Sequence, residues 1–253
     1  MPAVGPPATT WAIVLLLALM SGLTTLLGVV LALRLGKSAR AIALGIGFSA
    51  GIMLLISGAE LLPASLRAVG PLWTWGGAAL GAGFIAALHV VVPHVHLFEE
   101  RGLLDASMLR TSTLVTLGLI LHDFPEGVAM ANAYVNSPSL GVLLALAIAL
   151  HNVPEEFAMA VPAVASQRRT MLFVMAFFSA LAEPAGALVG LVLVQLEPDL
   201  NAVFMAVAAG AMIFVSAHEL LPMAARFANL SLFAAGLALS APVYILLRWL
   251  VPG

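Results

Sequence analysis

Long apolar stretches separated by a few polar residues set the pattern of this chain. Stretches of about 20 residues or more, long enough to cross a hydrocarbon layer as a helix, fall at about 11–33, 41–66, 72–92, 112–135, 139–165, 171–195, 201–224 and 230–251. The pattern predicts an all-α membrane protein of eight transmembrane helices, a single transmembrane domain over residues 1–253. Most connections are only a few residues, so consecutive spans form antiparallel hairpins. The exception is the loop 93–110, which carries His94, His96, Glu99, Glu100, Arg101 and Asp105. Residues 1–10 lack the basic region of a secretory signal, so the first apolar run is expected to be a retained span.

Composition agrees. Of 253 residues, 62% are hydrophobic and 9% charged, against roughly 25% charged in soluble domains. The absence of cysteine removes disulfides, thiolate ligands and thiol catalysis. The net charge of −2 gives no reason to expect a nucleic-acid partner. No G-x-x-x-x-G-K-[ST] phrase offers a nucleotide site.

The basic residues set an orientation. Arg34, Lys37, Arg40, Arg101, Arg110, Arg168, Arg169 and Arg226 fall on one side, and Arg67 and Arg248 on the other. Both termini are therefore expected outside, with the loop 93–110 cytoplasmic.

Two repeats run through the apolar pattern. His122-Asp123-Phe124-Pro125-Glu126-Gly127-Val128-Ala129-Met130-Ala131 recurs 29 residues later as His151-Asn152-Val153-Pro154-Glu155-Glu156-Phe157-Ala158-Met159-Ala160. Each copy puts a histidine and a glutamate four residues apart, on one helical face. Each places a proline between them, which removes a hydrogen bond and bends the axis. Ala50-Gly51-Ile52-Met53, Ser57 and Glu60-Leu61-Leu62-Pro63 recur 159 residues later as Ala209-Gly210-Ala211-Met212, Ser216 and Glu219-Leu220-Leu221-Pro222. In each repeat the two copies lie on oppositely directed spans. The pattern is that of an inverted-repeat transporter, with its substrate site near the midplane.

The chemistry sits in the first repeat. His122, Asp123, Glu126, His151, Asn152, Glu155 and Glu156 fall inside apolar spans, as does Glu183 in the sixth. An acid at mid-membrane costs on the order of 3 kcal/mol, so five of them cost very roughly 15 kcal/mol if charged and alone. Protonation, pairing with histidine or a bound cation would compensate; no Lys or Arg lies at this depth. Imidazole with carboxylate suits Zn²⁺, Fe²⁺, Mn²⁺ or Co²⁺, and with several carboxylates two adjacent metal positions are reasonable. An intramembrane metallohydrolase would bury similar groups, but there is no H-E-x-x-H and the ligands are duplicated symmetrically. A metal-selective channel would share every ligand.

The phrases His122-Asp123-Phe124-Pro125-Glu126-Gly127 and His151-Asn152-Val153-Pro154-Glu155 resemble the paired HNxPEG-type signatures of the ZIP (Zrt/Irt-like protein) metal transporters, closest to the compact bacterial, ZupT-like members. The resemblance extends to Ala182-Glu183-Pro184, the E-L-L-P phrases and the loop after the third span. It implies a multi-pass protein of the bacterial inner membrane that moves Zn²⁺, and with it Fe²⁺, Mn²⁺ or Cd²⁺, into the cytoplasm; a homodimer is compatible with it. It implies one metal held by His122, Glu126, His151 and Glu155, with Met53 nearby. A second would take Asp123, Glu126, Asn152, Glu155 and Glu183, so that Glu126 and Glu155 bridge. Glu60, His218, Glu219, His94 and His96 would lie along the path of admission or release. Two positions depart from the family pattern: Asp123, usually Asn, and Glu156, usually Gly. Glu156 is an accessory acid, not assigned as a ligand.

Overall fold

The computed structural model describes residues 5–35, 38–91, 107–164, 169–222 and 229–252, and the regular structure among them is entirely helical. In chain order come α1 (Ala8–Gly22), α2 (Thr25–Leu35), α3 (Ala39–Leu55), a π-helical turn (Ile56–Leu61) and α4 (Leu62–Val91). α5 (Ser107–Asn136), α6 (Pro138–Val164), α7 (Arg169–Ala180) and α8 (Ala182–Leu196) follow. A 3₁₀ turn (Pro198–Leu200), α9 (Asn201–Val215), a second π turn (Ser216–Leu220) and α10 (Leu230–Leu250) complete the order.

Six segments among the described residues are long and apolar enough to cross a membrane: Ala8–Arg34, Ala39–Leu88, Pro138–Ala158, Ala176–Leu196, Pro198–Leu220 and Leu230–Leu250. The second spans 50 residues and turns back on itself at Gly70, whose φ of 76° lies in the left-handed region that glycine adopts without a Cβ penalty. Pro71 follows, and across the bend the Ser65 and Thr74 hydroxyls bond at 2.9 Å. α5, which carries His122, Asp123 and Glu126, is not among the six. Its first turn, from Ser107, takes in residues that the sequence pattern assigns to the loop 93–110. The rest of that loop, with His94 and His96, lies outside the described residues.

The exterior is apolar, and a cluster of ionisable groups lies inside an otherwise apolar core. Leu72, Trp249 and Leu196 are 80%, 76% and 69% exposed, while Glu126, His151 and Glu183 are 0% exposed. Tryptophans such as Trp73, Trp75 and Trp249 on the outer surface suit a bilayer interface. The chain is a multi-pass, all-α membrane protein.

Spans read as continuous in the sequence are interrupted at four places, each with a local cause. Pro184 has no N–H for the Ala180 carbonyl, and the sixth run breaks at Leu181 between α7 and α8. The first run breaks at Leu23 and Thr24, where the Thr24 hydroxyl donates to the Ser21 carbonyl (2.7 Å) and to the Ala149 carbonyl of α6 (3.0 Å). Such side-chain bonds compete with the helical ladder. Pro63 and Pro222 likewise withdraw a donor, and the preceding turns widen: Leu62 N–H donates to Ser57, and Leu221 N–H to Ser216. Each π turn runs into one of the two E-L-L-P phrases. The inverted repeat is thus written into backbone geometry as well as sequence.

The helices pack as two bundles. α3, α4, α9 and α10 form one, in which α4 packs along α9 and α3 along α10; α1, α2, α5, α6, α7 and α8 form the other, in which α5 packs along α8 and α6 along α2. The bundles meet where α5 touches α9 and α3 touches α6. The first repeat lies on α5 and α6, at that seam.

Candidate metal centre

Both copies of the repeat lie on continuous helices, α5 through Pro125 and α6 through Pro154. Small residues on neighbouring helices let the backbones approach closely beside the prolines. A Cβ on Gly186 of α8 would sit 2.1 Å from the Phe124 carbonyl oxygen, and one on Gly28 of α2 would sit 2.6 Å from that of Val153. These are the carbonyls just before the two prolines, so glycine is what lets α8 and α2 close over them.

The histidines and glutamates then pair across the two helices rather than within each copy. His122 Nε2 of α5 contacts Glu155 Oε1 of α6, and His151 Nε2 of α6 lies 3.1 Å from Glu126 Oε1 of α5. The His151 Nδ1–H donates to the Ala147 carbonyl at 3.0 Å. That bond fixes the ring and leaves Nε2 as the nitrogen turned to the carboxylate, the usual arrangement of a metal-binding imidazole. A further brace from α3 is the Ser49 hydroxyl, which donates to the His151 carbonyl at 2.8 Å.

A second group of polar residues lies on the side of the centre facing α7 and α8. Asp123 Oδ1 is 3.5 Å from His122 Nε2, and its Oδ2 accepts from the Ser179 hydroxyl of α7 at 2.6 Å. Asn152 Nδ2 donates to Glu183 Oε1 of α8 at 2.5 Å. His122, Asp123, Glu126, His151, Asn152, Glu155, Glu156 and Glu183 are all buried. One oxygen on each of Glu126, Glu155, Glu156 and Glu183, and Nδ1 of His122, are buried without a hydrogen-bond partner. Each such atom costs about 1–3 kcal/mol unless something satisfies it.

This cluster suits a divalent cation taken up as cargo. Its donors are imidazole nitrogen and carboxylate oxygen, with no cationic side chain among them. Among the described residues no three His, Asp or Glu side chains already converge on one point at metal-holding geometry. Each imidazole instead faces a carboxylate. A cation entering the pair would take the place of the proton the two share and draw both onto itself.

Among the described residues, the other sequence candidates are not part of the crossed pairs. Met53 is fully buried on α3, one turn beyond Ser49, and its sulfur accepts from the Ser216 hydroxyl at 3.6 Å. Glu60 closes a pocket of about 160 Å³ at one end of the molecule, lined also by Arg67, Asn136, Ser137, Ser139 and Arg248. There it is held by the Tyr244 hydroxyl and by Arg248 Nη1, 3.2 Å from Oε1. Its carboxylate is therefore already paired with a cation. His218 is exposed and stacks on Phe214 with ring centroids 4.8 Å apart. Glu219, next to it, is half-buried, close enough to His122 for their charges to interact.

Sequence reasoning did not single out Ser179, Ser49, Tyr244 or the pairing of Arg248 with Glu60. A serine in an apolar run signals nothing until a partner from another helix is placed against it. Arg248 and Glu60 are 188 residues apart.

Comparison with known proteins gives the same direction. The family model described as ZIP zinc transporter matches residues 98–244. The zinc transporter ZupT of Escherichia fergusonii is 41% identical over 224 residues, 83% of this chain and 86% of that protein. The protein of the same name in Salmonella heidelberg is likewise 41% identical over 224 residues, and that of an Enterobacter species is 40% identical over 222 residues. With a family match across more than half its length and relatives this similar over most of it, the chain belongs to the ZIP zinc transporter family, and it is a membrane transporter of divalent metal, not an enzyme.

Proposed function

We propose that this protein admits Zn²⁺ to the cytoplasm of a bacterium through a binuclear centre between α5 and α6, with Fe²⁺, Mn²⁺ and Cd²⁺ as further cargo. The observation that carries this reading is the pair of crossed imidazole–carboxylate contacts, His122 with Glu155 and His151 with Glu126, at the seam between two bundles. The zinc transporters similar to this chain support zinc as the metal. His122, Glu126, His151 and Glu155 would hold one ion. Asp123, Asn152 and Glu183, with Glu126 and Glu155 as bridges, would hold the other. Met53, Glu60, His218 and Glu219 would line the way to and from the centre.

Eight spans with both termini outside the inner membrane complete the reading: α1 and α2 together, α3 to the bend at Gly70, the rest of α4, α5, α6, α7 and α8 together, α9, and α10. An incoming ion exchanges its water for these ligands one at a time. Motion of one bundle against the other then turns the centre from one side to the other. Imidazole and carboxylate bind metal only when deprotonated, so binding weakens as the pH is lowered. The test is uptake of Zn²⁺ and Cd²⁺ into liposomes containing the purified protein. Saturable uptake down the metal gradient is expected, and a silent assay with folded protein would count against transport.

A further inference from the structure

The pocket that Glu60 closes lies between the two bundles. Glu60, Arg67 and Arg248 come from the bundle of α3, α4 and α10, and Leu140 and Leu143 come from α6 on the opposite wall. The pocket is aligned with the metal centre. The Ser49 hydroxyl of α3 donates to the His151 carbonyl of α6 at 2.8 Å. Glu60 lies eleven residues after Ser49, and Leu140 eleven residues before His151. The two helices therefore run side by side, in opposite directions, from the centre to the pocket, a span of roughly 16 Å at helical rise. Along it α3 has no acid, the π turn has Glu60, and the first acid of α6 is Glu155. Glu60 is the carboxylate these helices offer an ion arriving from the pocket.

That carboxylate is already engaged. Its Oε1 accepts from the Tyr244 hydroxyl, and Arg248 Nη1 lies 3.2 Å from Oε1 and 3.3 Å from Oε2. Tyr244 and Arg248 are four residues apart, on one face of α10. Tyr244 is buried. The Arg248 side chain is 52% exposed and that of Glu60 8%, so the guanidinium reaches in from the open side over a buried carboxylate.

A half-exposed ion pair adds little to stability, and α3 and α10 are held together without it. A Cβ on Gly47 of α3 would sit 2.1 Å from the Phe233 carbonyl oxygen, and one on Gly236 of α10 would sit 2.0 Å from that of Leu44. The pair matters more for charge. With Arg67 and Arg248 against Glu60, the groups lining the pocket sum to a net positive charge, which opposes an incoming cation.

We propose that Arg248 is a tethered counter-cation that an incoming divalent ion must displace from Glu60, and that it thereby sets the metal concentration at which transport half-saturates. The double charge of the ion outweighs the single charge of the guanidinium. Arg248, already half in water, swings aside without exposing apolar surface, while Tyr244 keeps its bond to the carboxylate. The inference rests on the metal-transport reading above and adds to it a residue that competes with the cargo.

Initial rates of Zn²⁺ uptake into proteoliposomes at fixed ionic strength test this. Removing a tethered competitor lowers KM and leaves kcat unchanged. Arg248→Gln should lower KM about fivefold, the weight of one such ion pair, and Arg248→Lys, which keeps the charge, should restore KM toward the wild-type value. Arg67→Gln takes the same charge from the same pocket without releasing Glu60, so its fall in KM should be smaller. With Glu60→Gln already present, Arg248→Gln should change KM no more than Arg67→Gln does. An unchanged or higher KM in Arg248→Gln overturns the proposal, as does an equal fall in Arg67→Gln or Arg248→Lys. If Arg248→Gln does not fold, Arg248→Met, which keeps the apolar stem, is read in the same way. Absence of saturable uptake by the folded wild type would instead defeat the metal-transport reading itself, so the two failures are distinguishable.

Discussion

Copy one of the repeat, on α5, and copy two, on α6, share His-x-x-Pro-Glu but solve the next position in opposite ways. In copy one Gly127 lies against α8 so closely that a Cβ would sit 2.0 Å from the Glu183 carbonyl oxygen, and Gly186 of α8 meets the Phe124 carbonyl in return. Each glycine lies against backbone of the opposite helix, and the two backbones touch. In copy two the corresponding neighbour, α2, also brings a glycine, Gly28, but α6 answers with Glu156. One glycine in place of two leaves room for a side chain. The difference teaches that the repeat keeps the histidine and glutamate of its common face while its flanks diverge, and that a neighbouring helix decides how far they can.

The largest expected effect comes from forcing copy one to imitate copy two. Gly127→Glu drives a side chain into the α8 backbone, which cannot give way as a flexible side chain would. Folded protein should be lost, seen as absence of a monodisperse peak in size-exclusion chromatography of the solubilised membrane; a normal peak would show that α5 and α8 are not packed this closely. Gly28→Ala is milder. Its Cβ meets the Val153 carbonyl oxygen at 2.6 Å as well as Glu156, so a destabilisation on the order of 2 kcal/mol is expected, read as a lower melting temperature in detergent. Adding Glu156→Gly should recover only part of it, because the clash with the Val153 carbonyl remains.

Asp123→Asn makes copy one chemically like copy two. It removes one of the carboxylates on the side of the centre facing α7 and α8, and metal affinity should fall about tenfold in a binding titration, with the fold intact. Ser179→Ala is expected to do least. It takes away a single donor that orients Asp123, and should weaken binding by less than the tenfold expected of Asp123→Asn. An effect larger than that of Asp123→Asn would mean that the hydroxyl does more than orient the carboxylate.

Much of this was legible in the sequence because apolar runs and motif spacing are local. The pairs His122/Glu126 and His151/Glu155 could be placed on helix faces from spacing alone, and the two E-L-L-P phrases announced the inverted repeat. What could not be read was which partner each side chain would choose. Spacing puts His122 beside Glu126 on one face, yet His122 contacts Glu155 and His151 contacts Glu126, because packing of α5 on α6 makes the crossed pairs shorter. The breaks at Leu23–Thr24 and Leu181 were hidden in uniformly apolar runs, although Pro184 supplied the reason for one of them. Glu60 was expected on the ion's path from its place in the repeat; its link to Tyr244 and Arg248 depends on α3 packing along α10, which no local pattern encodes.

Proteoliposome uptake by the wild type and by Glu126→Ala and His151→Ala tests the central claim most directly. The crossed pairs predict saturable Zn²⁺ uptake in the wild type and background uptake in both variants, with comparable amounts of folded protein reconstituted. Undiminished uptake in either variant would contradict a path through the centre between α5 and α6.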